Sequence, residues 1–257
     1  MKIKFYKYQG TGNDFIVVDN RKKILENLSQ SKINQLCSRK TGIGADGFIS
    51  LEKDDTTDFK MTYYNSDGYE SSMCGNGGRC IAKFAQDIGL IKNQTFFKAI
   101  DGIHKAVFLN DKVRLKMNDV SVIKKIDDYF FLNTGSPHVV CFIDNLDIKF
   151  IPFARKIRYS EQFSKKGVNV NIIMKEHNKI NIRSYERGIE DETLSCGTGA
   201  TACAIASHFS KKITGEKIQI NTKGGVLTIE FECNNLNYTN IWLTGFVKLV
   251  YIGEFYI

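Results

Sequence analysis

The stretch SSMCGNGGRCIAKFA at residues 71–85 returns in altered form as LSCGTGATACAIASHF at 194–209. Each places a cysteine before glycines at the start of a helix-like pattern. Cys74 and Cys196 stand 122 residues apart, and at that offset Gly75 and Gly77 match Gly197 and Gly199. Further pairs keep the same order. GNDFIVV (12–18) parallels GSPHVVC (135–141) at an offset of 123, and GIGADG (42–47) echoes GVNVNI (167–172) at 125. Gly102 pairs with Gly225 at 123, and Asn65, after FKMTYY, falls opposite Glu186, after NINIRSY. Matches that share order and near-constant spacing predict a duplicated unit of about 120 residues. The 257 residues therefore read as two similar domains rather than one.

Each unit reads mainly as strands. KIKFYKY, DFIVVD, FKMTYY, KAVFL, VRLKM, VNIIM, INIRSY, VLTIEF and IWLTGF are rich in β-branched and aromatic residues. LNDKV and KEHNKI read as hairpin turns. Each unit also carries one clear helix. Ile81, Phe84, Ala85 and Ile88 repeat at i, i+3, i+4 and i+7 with Gly89 as a C-cap, and Ala202, Ile205, Ala206 and Phe209 repeat the spacing. Cores as apolar as CIAKFA and ACAIA predict a curved sheet closing around a central helix.

The remaining composition excludes other classes. Hydrophobic residues make up 42% of the chain, and no apolar run approaches the roughly 20 residues of a membrane helix. MKIKFYKYQG has no signal-peptide pattern, so a cytoplasmic protein is expected. The net charge of +8 comes from scattered lysines without a basic stripe, which argues against nucleic acid. Seven cysteines without CxxC spacing predict neither a disulfide framework nor a metal site. Cys37, Cys80, Cys141, Cys203 and Cys233 read as small buried hydrophobes. His104, His177 and His208 carry no motif and read as surface.

A helix start presents N–H groups without internal partners and behaves like roughly half a positive charge. A carboxylate can rest on CGNGG or CGTGA, and a cysteine there is acidified toward thiolate. Two such starts facing one molecule would let a thiolate remove a proton from one face of a carbon and a thiol return one to the other. A cysteine hydrolase built on His138 leaves the second cysteine loop unexplained. Dithiol redox chemistry leaves the carboxylate-binding glycines idle.

GTGNDFIVVD, GIGADG, YYNSDG, MCGNGGRC, GSPHVV, VNVNII, SYERG and SCGTGATA occur in an order that resembles the diaminopimelate epimerase family. The resemblance spans residues 3 to about 250, and Asn76 in CGNG separates it from proline racemase, whose first cysteine loop typically carries histidine. It implies an α/β fold of two pseudo-symmetric domains, each a barrel-like sheet around a helix, with the active site in the cleft between them. The domains would be 1–118 with a returning strand 247–257, and 119–246. It further implies a homodimer that uses neither metal nor pyridoxal phosphate and epimerises LL- to meso-2,6-diaminopimelate, a small-molecule substrate, for lysine or cell-wall synthesis. Cys74 and Cys196 would be the acid/base pair. Gly75, Asn76, Gly197 and Thr198 would cradle the reacting carboxylate. Asn13, Asn65, Asn169, Glu186 and Arg187 would hold the substrate, with Glu186 on the amino group at the reacting centre and Arg187 on the distal carboxylate. His138 would be the histidine needed for full activity. Two positions depart from the family pattern: Gly47 stands where Gln is common, and Ser136 where Asn is common.

Overall fold

The computed structural model describes residues 1–257 apart from 27, 72 and 178. In chain order the first elements are β1 (Lys2–Gly10), β2 (Asn13–Asp19), α1 (Gln30–Cys37), β3 (Gly47–Glu52), β4 (Phe59–Asn65), α2 (Gly75–Asp87), β5 (Gln94–Ala99), β6 (Gly102–Leu109) and β7 (Lys112–Lys116). Then follow β8 (Ile123–Ile126), β9 (Tyr129–Asn133), β10 (Pro137–Phe142), α3 (Phe150–Arg158), β11 (Asn169–Glu176), β12 (Lys179–Glu186), β13 (Asp191–Thr193), α4 (Gly197–Phe209), β14 (Lys217–Thr222), β15 (Gly225–Asn234), β16 (Asn237–Phe246) and β17 (Lys248–Tyr256). Two compact units result: Met1–Leu115 with Gly245–Ile257, and Lys116–Thr244. The sequence reading sets the junctions at 118/119 and 246/247.

In the first unit, β1 pairs antiparallel with both β17 and β2. β2 runs parallel to β3, β3 antiparallel to β4, β4 parallel to β5, and β5 antiparallel to β6. Strand β1 shows the pleat in its burial: Ile3 and Phe5 point into the core while Lys2 and Lys4 face water. The sheet wraps α2, which touches β1, β2, β3 and β6 and buries every residue from Gly75 to Ala82. Phe84 on this helix is fully buried, with its ring 4.8 Å from Tyr6 and 6.0 Å from Tyr8. Gly89 follows the helix at φ +75°, the left-handed conformation of a C-terminal stop.

The second unit repeats the plan. β8 pairs antiparallel with β9, and β9 antiparallel with β10. β10 runs parallel to β11, β11 antiparallel to β12, β12 parallel to β14, and β14 antiparallel to β15. α4 touches β9, β10, β11, β12, β14 and β15, and it is buried from Gly199 to Ser207. Both long helices have 13 residues, and 75–87 maps onto 197–209 at the offset of 122 read from the cysteines. Strand β17 stands beside β1 as β8 stands beside β9, so the first unit takes from the end of its fold what the second has at its beginning.

Among the described residues each unit holds two helices rather than one. α1 starts at Ser29, whose hydroxyl accepts from the Lys32 N–H, and buries Ile33, Leu36 and Cys37. α3 buries Phe150 and Ala154. Both are shorter than three turns, so tertiary contact rather than periodicity forms them. The LNDKV hairpin pairs Leu109 with Lys112 and puts Asn110 at φ +53°. The KEHNKI hairpin pairs Glu176 with Lys179, and its Asn178 lies outside the described residues. His104 is buried, not surface: it contacts Asp101 at 3.1 Å and packs on Phe97. His208 is half-buried and shares a hydrogen bond with Tyr238. Among the described residues no helix is long and apolar enough to cross a membrane.

Removing the Phe84 ring leaves a cavity that the wrapped sheet cannot collapse. Phe84→Ala is expected to cost the first unit about 3–5 kcal/mol, read as an earlier urea transition by circular dichroism. Fluorescence of Trp242, the single tryptophan and a residue of the second unit, should hold its midpoint.

Candidate functional site

Cys74 is the N-cap of α2 and Cys196 the N-cap of α4, both with extended backbone. Each sulfur accepts a hydrogen bond from the third N–H of its helix: Gly77 N to Cys74 Sγ at 3.1 Å, and Gly199 N to Cys196 Sγ at 3.4 Å. An N-cap acceptor is normally an oxygen of Ser, Thr, Asp or Asn. A sulfur in that place puts a nucleophilic or basic atom at the positive end of the helix. The two glycines have the same cause. A Cβ on Gly77 would come 3.2 Å from Cys74 Sγ, and one on Gly199 would come 3.3 Å from Cys196 Sγ and 2.6 Å from Asn171 Oδ1.

In the first unit the structure brings Asn13, Cys74, Gly75 and Asn76 together. Asn76 Nδ2 donates to Asn13 Oδ1 at 3.2 Å, and Cys74 Sγ lies 3.9 Å from the same oxygen. Asn13 Nδ2 donates to Asp46 Oδ2 at 2.7 Å. Behind this row lies Arg79, fully buried, donating to Gly75 O at 3.2 Å and to Thr11 Oγ1 and Asn76 Oδ1 at 2.9 Å each. An arginine at one end and a carboxylate at the other settle the direction of both amides between them. No carboxylate pairs with Arg79 among the described residues, and its Nε has no partner. Burial lowers its pKa to about 10, opposed by the nearby Cys80 and Cys74. At neutral pH it remains a buried cation beneath the Cys74 loop. Asp14 anchors the outer edge. Burial works against its ionisation, but hydrogen bonds from Arg39 and Lys7 outweigh this and bring its pKa down to about 2. Asn65 ends β4, opposite Gly47 of β3, and its backbone N–H donates to Tyr69 O at 3.0 Å.

In the second unit His138, Asn169, Arg187, Cys196, Gly197 and Thr198 come together. His138 Nε2 lies 2.9 Å from Thr198 Oγ1, which lies 3.4 Å from Cys196 Sγ. Asn169 Oδ1 accepts from Arg187 N at 2.9 Å, and its Nδ2 donates to Ser136 Oγ at 2.8 Å and to Pro137 O at 3.1 Å. Both amide hydrogens of Asn169 are thus used within the unit, fixing the approach of the Arg187 backbone. The exposed Arg187 reaches back to Lys166 O at 2.9 Å. Glu186 precedes it, half-buried at the end of β12. Two residues escaped the sequence reading, Arg79 and Asn171. Asn171 contacts His138 Nδ1 at 3.1 Å and is fully buried. A polar side chain on the inward face of the apolar strand VNVNII was its available signal.

Four of the other thiols are buried and inert by environment, whereas Cys233 is half-buried rather than a core residue. Burial pushes Cys37 and Cys141 up to about 12, and Cys80 and Cys203 further.

A family model described as diaminopimelate epimerase matches residues 5–122 and 130–250. The chain belongs to the diaminopimelate epimerase family. A diaminopimelate epimerase of Flavobacterium psychrophilum is 51% identical over 254 residues, covering 97% of this chain and 98% of the relative. That of Aquifex aeolicus is 37% identical, covering 98% and 97%. Among solved structures, a Bacillus anthracis phenazine biosynthesis protein of the PhzF family superposes with a TM-score of 0.78 at 13% identity over the full length of both chains. A hydroxyproline epimerase from Agrobacterium vitis does so with a TM-score of 0.72 at 12% identity, over 99% of this chain and 91% of that one. Identities so low bear on the fold alone, and the fold they share is one of two pseudo-symmetric α+β domains.

The two departures from the diaminopimelate epimerase pattern have local causes. A Cβ on Gly47 would meet Tyr63 Cε2 at 2.5 Å and Tyr64 O at 2.7 Å. The Tyr63 ring fills the space that a side chain at 47 would need. Ser136 is engaged through its hydroxyl by Asn169, as an asparagine oxygen would be.

Burial, helped by the charge of Arg187, brings the His138 pKa down from 6.5 to about 3. The folded imidazole therefore stays neutral, whereas the unfolded one takes a proton once pH falls below 6.5. The stability held above pH 6.5 is lost as pH falls toward 3, by roughly 1.4 kcal/mol per unit from this residue. Urea titrations followed by Trp242 fluorescence between pH 7 and 4 should show that slope. His138→Gln should flatten it by one proton.

Proposed function

We propose that this chain interconverts LL- and meso-2,6-diaminopimelate, with one cysteine thiolate taking the α-proton and the other cysteine's thiol returning a proton to the opposite face. The observation that carries the reading is the repeated half-site, a cysteine sulfur capping a glycine-rich helix start in each unit of a chain from this family. The step balances without a further reactant. One sulfur gains the proton and becomes a thiol, the carbon passes through a carbanion, and the other sulfur loses its proton and becomes a thiolate. The pair ends each turnover with roles exchanged.

In this reading the first-turn N–H groups at Gly75, Asn76, Gly197 and Thr198 hold the reacting carboxylate. Glu186 receives the amino group, Arg187 the distal carboxylate, and Asn13 and Asn65 the remaining polar atoms. Asn169 serves by placing Arg187, since its amide hydrogens are already bound. General acid–base catalysis supplies about 10² to 10⁴. Each preorganised donor aimed at the developing charge adds on the order of 10² to 10³. The helix starts are therefore as necessary as the sulfurs. Product would feed lysine or peptidoglycan precursor synthesis.

Incubation of LL-diaminopimelate with the protein in heavy water is expected to place deuterium at one α-carbon of the meso product, read by mass spectrometry. L-Proline and L-glutamate should stay unlabelled. Cys74→Ala and Cys196→Ala should each lower kcat by roughly 10² to 10⁴ without changing the circular dichroism. Unlabelled product, or full turnover in either variant, would remove the two-base scheme.

Thiols required in reduced form suit the cytoplasm, where we place the protein. A homodimer is the proposed assembly. Ile252 and Tyr256 stand exposed on one side of β17, an apolar surface that a second copy would cover. Sedimentation equilibrium should give twice the chain mass of 29.2 kDa, and a single-chain mass would discard this assembly.

A further inference from the structure

We propose that Asn171 is a positioning residue for Cys196: through His138 it turns the Thr198 hydroxyl proton toward the Cys196 sulfur. The inference deepens the reading of Cys196 as an acid/base group and rests on it, but its test does not require substrate.

The chain of bonds has one possible direction. Asn171 Nδ2 lies 3.1 Å from Val139 O and 3.1 Å from His138 Nδ1. A carbonyl oxygen only accepts, so the amide nitrogen faces it, and the same NH₂ gives its second hydrogen to the imidazole. The amide oxygen is placed independently, accepting from Ser184 Oγ at 2.8 Å. His138 Nδ1 is therefore the bare nitrogen, and the ring proton sits on Nε2. The opposite tautomer would set an N–H against an NH₂ in a fully buried place, at the cost of an unmade buried bond. Nε2–H then donates to Thr198 Oγ1 at 2.9 Å. A hydroxyl that accepts there has its own proton left for Cys196 Sγ, 3.4 Å away. The Thr134 hydroxyl holds the Thr198 carbonyl at 2.8 Å, so the Thr198 backbone does not drift.

A second observation places Asn171 in this assembly. Its Oδ1 packs against the start of α4 so closely that a Cβ on Gly199 would meet it at 2.6 Å. The glycine that gives its N–H to the Cys196 sulfur also makes room for the amide that orients His138. The Cys196 sulfur thus faces two fixed donors, the Gly199 N–H and the Thr198 O–H, and both favour thiolate over thiol. The other titratable groups facing this assembly are Cys203 on α4, whose thiol burial drives up, and Arg187, whose charge opposes protonation of His138.

The test uses the full chain and iodoacetamide, with the rate at each cysteine read by peptide mass spectrometry from pH 5 to 10. Asn171→Asp keeps the shape but presents an acceptor, which draws the ring proton to Nδ1 and leaves Nε2 to take the Thr198 proton. Thr198→Val removes the hydroxyl, and Thr198→Ser retains it. Asn171→Asp and Thr198→Val should each slow Cys196 alkylation at pH 7 about tenfold and raise its midpoint by about one pH unit, with Cys74 unchanged. Thr198→Ser should behave as the parent. Nitrogen NMR, with the His138 signals assigned by their loss in His138→Gln, should show Nε2 protonated in the parent and Nδ1 protonated in Asn171→Asp. A parent protonated on Nδ1, an unaltered tautomer in Asn171→Asp, or an unaltered Cys196 midpoint in Thr198→Val overturns the proposal. Should Asn171→Asp not fold, the parent tautomer and Thr198→Val decide. Absence of epimerisation beside the expected alkylation shifts would dispose of the proposed function and leave this inference standing.

Discussion

The structure depends on a sulfur taking the place of an N-cap oxygen. A helix must satisfy its first N–H groups, and here Cys74 and Cys196 do so by accepting from Gly77 and Gly199. Glycine is required at those positions because the sulfur lies against them. The wrapped sheet is required because it removes the helix starts from water, where the dipole and the donors would be screened. The long burial of α2 and α4 follows from that demand as much as from core formation.

The two halves share a plan and differ in how they surround the sulfur. Position 79 of the first unit corresponds to 201 of the second at the offset of 122. Arg79 donates to Gly75 O, and Thr201 donates to Gly197 O at 3.0 Å. The backbone bond is conserved between halves, while the charge is present in one half alone. The first sulfur sits above a buried guanidinium. The second sits beside a neutral imidazole linked through a threonine. A twofold duplication has kept its geometry and lost its electrostatic equivalence.

Much of the fold was legible in the sequence because duplication doubles every weak signal. The strands, both long helices and both cysteine loops stand where pattern and offset put them. The short helices did not: α1 and α3 carry too few turns for periodicity, and Pro152 lies inside the first turn of α3. His104 reads as surface in isolation and becomes buried through the pairing of Phe97 with His104 across β5 and β6. Arg79 and Asn171 were hidden for a related reason. Their roles come from strand register and amide direction, which set Asn171 beside Ser184 and His138 beside Asn169, and no local motif encodes them. Asn169 was singled out from the sequence as a candidate, but its bonding to Ser136, Pro137 and Arg187 could be seen only in three dimensions.

The pairing of β1 with β17 has a consequence for how the protein is made. The first unit is discontinuous: its strand at 248–256 leaves the ribosome after all of the second unit. The second unit is continuous and holds its own β8 beside β9 from the outset. During synthesis the later-made half is therefore the first that can complete its sheet, while the earlier half waits with β1 as an open edge. A nascent chain stalled before residue 245 would carry a finished Cys196 half and an unsealed Cys74 half. That unpaired edge is the segment a chaperone would have most reason to shield.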